Sequence, residues 1–231
     1  MQAFLRLLRL LTWVVVGAWG ICHATPPINP EKDSANTPFA GWLDASGTAT
    51  LATVQQLEHW EPFTGWKGWA FGPEPVWLRV QVPATTADAP PWILVVRPTF
   101  LDQLTFYDPS TGTERHSGDF LPFTEDALSN VLFTFEVPAR SVARQVYVKV
   151  QSTSSRLVNL SLMPRPQAQA YARGIEWTMG VSLVLSAMFF LWALTVWFQT
   201  RDRMMGVFAL KQLLVSLWGF CFLGFARVTV G

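Results

Sequence analysis

The stretch VWLRVQV, Val76 to Val82, alternates with a period of two. Leu78, Val80 and Val82 fall on one face and Trp77, Arg79 and Gln81 on the other, the pattern of a half-buried β-strand. The same period recurs on the C-terminal side. VLFTFEV sets Val131, Phe133, Phe135 and Val137 against Thr134 and Glu136, and QVYVKVQ sets Val146, Val148 and Val150 against Tyr147 and Lys149. WILVV, Trp92 to Val96, is apolar on both faces, as a central sandwich strand is, and LVNLSL, Leu157 to Leu162, closes the series. Pro83 to Pro91, and Asp108-Pro109 with Thr111-Gly112, supply turns. No amphipathic helical stretch of useful length interrupts residues 41 to 163. The expectation is an antiparallel β-sandwich of about eight strands, a size that buries an adequate core.

Beyond the sandwich the composition changes. Hydrophobic residues make up 50% of the 231 and charged residues only 14%, low against roughly 25% in soluble domains. WTMGVSLVLSAMFFLWALTVWF, Trp177 to Phe198, carries no charge and is long enough to cross a hydrocarbon core of about 30 Å. Trp177 and Trp197 stand near its ends, where indole rings favour the membrane interface. After QTRDR comes a second span, Met204 to Ala226. Arg201 and Arg203 place the connecting loop on the cytoplasmic side and the β-domain outside. Lys211 is the one charge inside a span. It lies roughly 10 Å from Met204 along the helix, within reach of the cytoplasmic side by snorkelling, with a ligand or signalling role as the competing reading.

At the N-terminus, Arg6 and Arg9 precede an apolar run that ends at Cys22-His23-Ala24, which reads as a secretory signal peptide over residues 1–24. The competing reading is an uncleaved anchor, and Ile21 argues against lipid attachment at Cys22. Residues 25–40, rich in Pro, Asn and Ser, read as a linker. A net charge of +1 offers no footprint for nucleic acid. With Cys22 and Cys221 the only cysteines, no disulfide framework or CxxC site can be built. His23, His59 and His116 lack metal-ligand spacing, so neither a metal nor a cofactor is expected. The serines of QSTSS lack a nucleophile turn and a partnered histidine, and Glu125 and Asp126 are adjacent and diverge, so no catalytic residues and no enzymatic activity are expected.

GWLDASGTATLATVQQLEHWEPF, FGPEPVWLRVQV, RPTFLDQLTFYDPSTG, SGDFLPF and VYVKVQSTSS follow one another in an order that resembles the periplasmic sensor domain, DISMED2, of bacterial receptors with seven transmembrane helices and diverse intracellular signalling modules (7TMR-DISM). The likeness spans residues 41 to 163, and Trp177 to Ala226 looks like the first two of the seven helices. It implies a jelly-roll-like sandwich related to carbohydrate-binding modules, in the periplasm at the inner membrane. It also implies a cytoplasmic output module, commonly a diguanylate cyclase or a histidine kinase. The chain stops after its second span, so it reads as a fragment, a truncated product or a receptor without its output. Where the family pattern leads to a basic residue after GDFLPF, Glu125 and Asp126 stand instead.

The resulting domain plan is a sandwich over 41–165, a juxtamembrane connection over 166–176, a span over 177–198, a loop over 199–203, a second span over 204–226 and a tail over 227–231. Sugars stack their C–H faces on exposed aromatic rings. Phe63, Phe71 and Trp77 are expected in the core, whereas Trp66 and Trp69, beside Gly65, Lys67 and Gly68 in an expected loop, are candidate ligand contacts. Arg79 and Arg97 join them as candidates, with pairing to Asp102 or Asp119 as the structural reading. Asp119 is read first as a loop-shaping residue and second as a contact. The expected function is the input module of a transmembrane receptor that binds a small periplasmic ligand, with carbohydrate the class the rings point to. The alternative is a membrane-tethered envelope protein whose sandwich binds a protein partner. The lipid bilayer is a partner in either case, and a homodimer is left open.

Overall fold

The computed structural model describes residues 39–222 apart from residues 70, 87, 122–127, 129–130 and 154–155. The signal peptide, nearly all of the linker, Glu125 and Asp126, and the end of the second span with the tail lie outside the described residues.

The elements run β1 (Phe39–Leu43), α1 (Leu51–Gln55), β2 (Glu61–Phe63), β3 (Trp66–Trp69), β4 (Val76–Val82), β5 (Trp92–Arg97), β6 (Gln103–Asp108), β7 (Thr113–Ser117), β8 (Phe133–Val137), β9 (Arg144–Gln151), β10 (Arg156–Pro164), α2 (Arg165–Thr200) and α3 (Arg203–Phe222). They form an all-β sandwich of two antiparallel sheets followed by two long apolar helices. One sheet has the order β2-β1-β4-β9-β6-β7 and the other β3-β10-β5-β8.

Alternation does the work expected of it. Leu78, Val80 and Val82 of β4, with Val146, Val148 and Val150 of β9, meet Leu94 and Val96 of β5, Phe133 and Phe135 of β8, and Leu160 and Leu162 of β10 between the sheets. The rings of Phe106 and Phe135 stack across this core with centroids 5.1 Å apart. Two further cores lie outside the sandwich. On the six-stranded sheet, Trp77 and Tyr147 are covered by the segment carrying α1 through Val54, Leu51, Leu57 and Trp60. On the four-stranded sheet, Ile93, Val95 and Met163 are covered by Ala168 and Ala172 of α2. That is why WILVV is apolar on both faces.

Residues 166–176, expected as a connection, are the first turns of α2. Pro166 sits where a helix has no intrahelical use for an N–H, so the two prolines around Arg165 start the helix and do not break it. At 36 residues α2 is about 54 Å long and runs without interruption from the sandwich through the span. Arg201, at φ 57°, ends it, with its N–H donated to the Trp197 carbonyl. Asp202 Oδ1 then accepts the Met204 N–H at 3.0 Å to start α3, so the loop expected over 199–203 is a turn of two residues. Ala193 and Ala209 are buried in the close approach of α2 to α3. Within it Gln212 Nε2 donates to Ser186 Oγ, which also shares a hydrogen bond with Ser216, both at 2.8 Å.

The connections separate into two ends. The links 82–92, 108–113 and 137–144 lie at one end, where β10 passes into α2. The links 69–76, 97–103, 117–133 and 151–156 lie at the opposite end, because β4, β6, β8 and β10 start there. From Arg165, α2 runs back over the four-stranded sheet towards this second end, where Tyr171 reaches Arg97 at the end of β5. The second end therefore faces the bilayer. Phe100, in the β5–β6 link, confirms it by stacking on Phe222 at the outer end of α3, with centroids 4.9 Å apart.

Candidate functional site

Three strands bring the first cluster together. Trp66 of β3 is paired with Asn159 of β10, and Asn159 with Arg97 of β5, so the three side chains share one face in a row across the four-stranded sheet. Arg97 Nη2 donates to Asn159 Oδ1 at 2.5 Å. Its guanidinium lies 5.3 Å from the Trp66 ring centre and 5.5 Å from that of Tyr171, so it is held between a sandwich ring and a ring of α2. A planar cation close to two aromatic rings gains electrostatic and stacking contact that an ammonium cannot match. Arg97 Nε is buried and has no hydrogen-bond partner among the described residues. Trp66 is 53% exposed, which leaves much of its ring free for a ligand that stacks.

A second cluster occupies the outer face of the six-stranded sheet. The Arg79 guanidinium lies 4.8 Å from the Trp60 ring centre, Trp60 tilts against Tyr147, and Trp77 stacks on Tyr107 at 5.6 Å with Lys149 over it. Burial raises the Tyr107 hydroxyl pKa, with Glu114 adding to the rise. Burial also raises that of Tyr147, partly opposed by Arg79. Both hydroxyls are therefore neutral hydrogen-bonding groups at physiological pH.

The sequence candidates part company here. Trp66 and Arg97 meet; Arg79 lies on the opposite outer face. Neither arginine pairs with Asp102 or Asp119, as the structural reading had it. An aromatic ring is Arg79's neighbour, and Asp102 instead accepts the Thr153 N–H and hydroxyl, each at 2.7 Å. Residues 66–69 form an edge strand and not a loop, and strand parity sends Trp66 outward and Trp69 inward. Trp69 packs edge-on against Phe63 at 5.9 Å and closes the rim of the main core. Its ring fills the space where a side chain at Gly41 would stand: a Cβ there would be 2.3 Å from Trp69 Cζ2. Phe63 is buried as expected and Trp77 is buried beneath α1, but Phe71 is 84% exposed and no part of the core.

Asp119 is exposed, and its backbone N–H, not its carboxylate, ties the loop by donating to the Leu101 carbonyl at 2.8 Å. The loop's shape belongs to Gly118, which has φ +142° and stands where a Cβ would be 2.3 Å from the Asp102 carbonyl oxygen. Lys211 lies on the exposed face of α3, in a shallow apolar groove with Val207, Leu210, Leu214, Val215 and Trp218. Two members of the Arg97 cluster escaped the sequence reading. Asn159 is a polar residue on a strand whose neighbours Val158 and Leu160 are core, and Tyr171 lay in the supposed connection.

Residues 39–164 match the model of the family described as 7TMR-DISM extracellular 2. The chain belongs to this family. No curated protein matches it. The 7TMR-DISM extracellular domain is here the sandwich from β1 to β10, and it ends at the residue before α2. Two helices long and apolar enough to cross a membrane follow directly. The protein is thus a membrane protein with an outward-facing 7TMR-DISM domain, of the sensor and receptor class.

Proposed function

We propose that the chain is the input module of a transmembrane signalling receptor in a bacterial inner membrane, and that it detects a small periplasmic ligand on the face carrying Trp66 and Arg97. The observation that carries this reading is the guanidinium of Arg97 held between Trp66 and Tyr171. A ligand stacked on the exposed ring of Trp66 acts on the cation behind it, and that cation touches a helix continuous with the membrane span. The ligand class we assign is a small polar molecule with an apolar face, of which a sugar is the type. Binding shifts the packing of α2 by the difference in affinity between its two arrangements, every 1.4 kcal/mol or so of difference being tenfold in the equilibrium. In this reading the chain is not itself an enzyme, and the output chemistry belongs to a separate domain.

The test is a thermal-shift and calorimetric screen of mono- and oligosaccharides against the full chain in nanodiscs. The expected result is a binder whose signal is lost in Trp66→Ala and in Arg97→Ala and kept in Arg79→Ala. A folded chain that binds nothing in the screen, or a binder indifferent to Trp66 and Arg97, overturns the reading.

A further inference from the structure

The bilayer-facing end of the sandwich carries large apolar side chains that no core accounts for. Phe71, in the β3–β4 link, is 84% exposed, and Phe120, just after β7, is 66% exposed. Both belong to the same end as Phe100, whose ring stacks on Phe222 of α3. That end lies close to the membrane along α2 as well. Met179, two residues beyond the interfacial Trp177, still packs against the cluster that Ile93, Val95, Val131, Leu132 and Met163 form with Ala168 and Ala172 of α2. At 1.5 Å per residue the cluster that joins the sandwich to α2 therefore reaches about 3 Å past the residue that marks the outer boundary of the span.

Phe71 and Phe120 are held in these positions by the fold. The Phe71 loop is fixed by Arg156, buried at the start of β10, whose Nη1 donates to the Glu74 carbonyl at 3.0 Å and to its carboxylate at 3.2 Å. The Phe120 N–H donates to the Asp102 carbonyl at 3.1 Å, two residues after Gly118. Asp102 in turn accepts from Thr153, which links the β5–β6 and β9–β10 connections. Exposed rings on a cross-tied rim at the bilayer-facing end fit the headgroup layer, where an aromatic ring buries its apolar surface.

We propose that this end of the sandwich is a membrane-binding surface, with Phe71 and Phe120 entering the headgroup layer of the outer leaflet beside the outer ends of α2 and α3. The partner is the lipid surface, and the contact gives the sandwich a footing on the bilayer besides its covalent tie through α2. It is independent of any ligand on Trp66.

The test places a nitroxide at Phe71→Cys, at Phe120→Cys and, as reference, at Val142→Cys in the β8–β9 link at the far end, which is also exposed. The full chain, with Cys22 and Cys221 changed to Ser, is reconstituted in nanodiscs of phosphatidylcholine and phosphatidylglycerol. Power saturation then compares access to oxygen with access to a water-soluble nickel chelate. Positions 71 and 120 are expected to favour oxygen and position 142 the chelate. Labels at 71 and 120 that match 142 overturn the proposal, and so does exclusion of both reagents, which marks contact with another protein surface. Should one label abolish the β-sheet circular dichroism, the other position decides alone.

Discussion

Asp44 shows how one side chain holds a segment that has no regular structure. It is fully buried, and its carboxylate accepts the N–H groups of Ser46, Gly47 and Ala49 and the Ser46 hydroxyl. Burial alone would raise its pKa, but these hydrogen bonds, Ser46 first, together outweigh it and leave the pKa below the usual value. A group with a depressed folded pKa contributes stability that is present above its unfolded pKa, about 4, and is lost as pH falls through the folded value. Asp44→Ala should therefore cost about 1.5–3 kcal/mol near neutral pH, as loss of hydrogen bonds to a charged group does. The cost should begin to shrink below about pH 4, where the unfolded carboxyl takes up a proton, and go on shrinking as pH falls through the lowered folded value. Melting curves of both proteins between pH 7 and pH 3, followed by tryptophan fluorescence, check this; a gap constant to pH 3 contradicts it.

At the scale of elements, the docking of α2 on the four-stranded sheet is the decisive contact. Ala168 and Ala172 are buried there against Ile93, Val95 and Met163, and small side chains set how closely the helix approaches. Ala168→Leu should overpack the seam and cost about 1–3 kcal/mol in sandwich stability. It should also lift α2, so that the Arg97–Tyr171 contact loosens. A double-mutant cycle of Arg97→Ala and Tyr171→Ala, expected to show about 0.5–2 kcal/mol of coupling in the wild type, should fall towards zero in the Ala168→Leu background. A coupling unchanged by Ala168→Leu would show that the two contacts are separate.

The same elements show what could be read from sequence. β4, β5, β8, β9 and β10 were legible because each has a face between the sheets, and period-two alternation reports a buried face. β7, Thr113 to Ser117, was not legible: it is an edge strand with Glu114, Arg115 and His116 exposed, so it has no apolar face to betray it. β3 was hidden for a related reason, since Trp-Lys-Gly-Trp reads as a loop until its pairing with β10 fixes the parity that sends Trp66 out and Trp69 in. The start of α2 was masked by Pro164 and Pro166, which mark a break or an N-terminus equally well. Reading residues 166–176 as a connection removed Tyr171 from view, and with it the link between the candidate site and the membrane. Arg97 and Trp66 were legible as candidates, but their meeting is a matter of register across three strands, which no local spacing encodes.

Taken as a whole, the molecule is a sandwich carried on a helix that does not stop at the membrane surface. The length of α2, about 54 Å, and its seating along the outer sheet mean that movement of the sandwich and movement of the span are one event as long as the helix stays intact. Four glycines inserted between Glu176 and Trp177 should uncouple them, because glycine is among the weakest helix formers, costing about 1 kcal/mol per residue relative to alanine. The sandwich itself keeps its core, since no buried member of its clusters lies beyond the insertion and only the partly buried Met179 packs against them from there. Spin labels at Val142 and Arg201, one at the far end of the sandwich and one at the turn between the helices, read the result as a distance distribution. In the wild type it should be narrow, and ligand should move it as a unit. In the insertion variant it should broaden, with binding unchanged and the ligand-induced shift gone. A distribution that stayed narrow after the insertion would mean that the bilayer contact of Phe71, Phe100 and Phe120 orients the sandwich without the helix, and that signal passes through the rim of the domain instead of through α2.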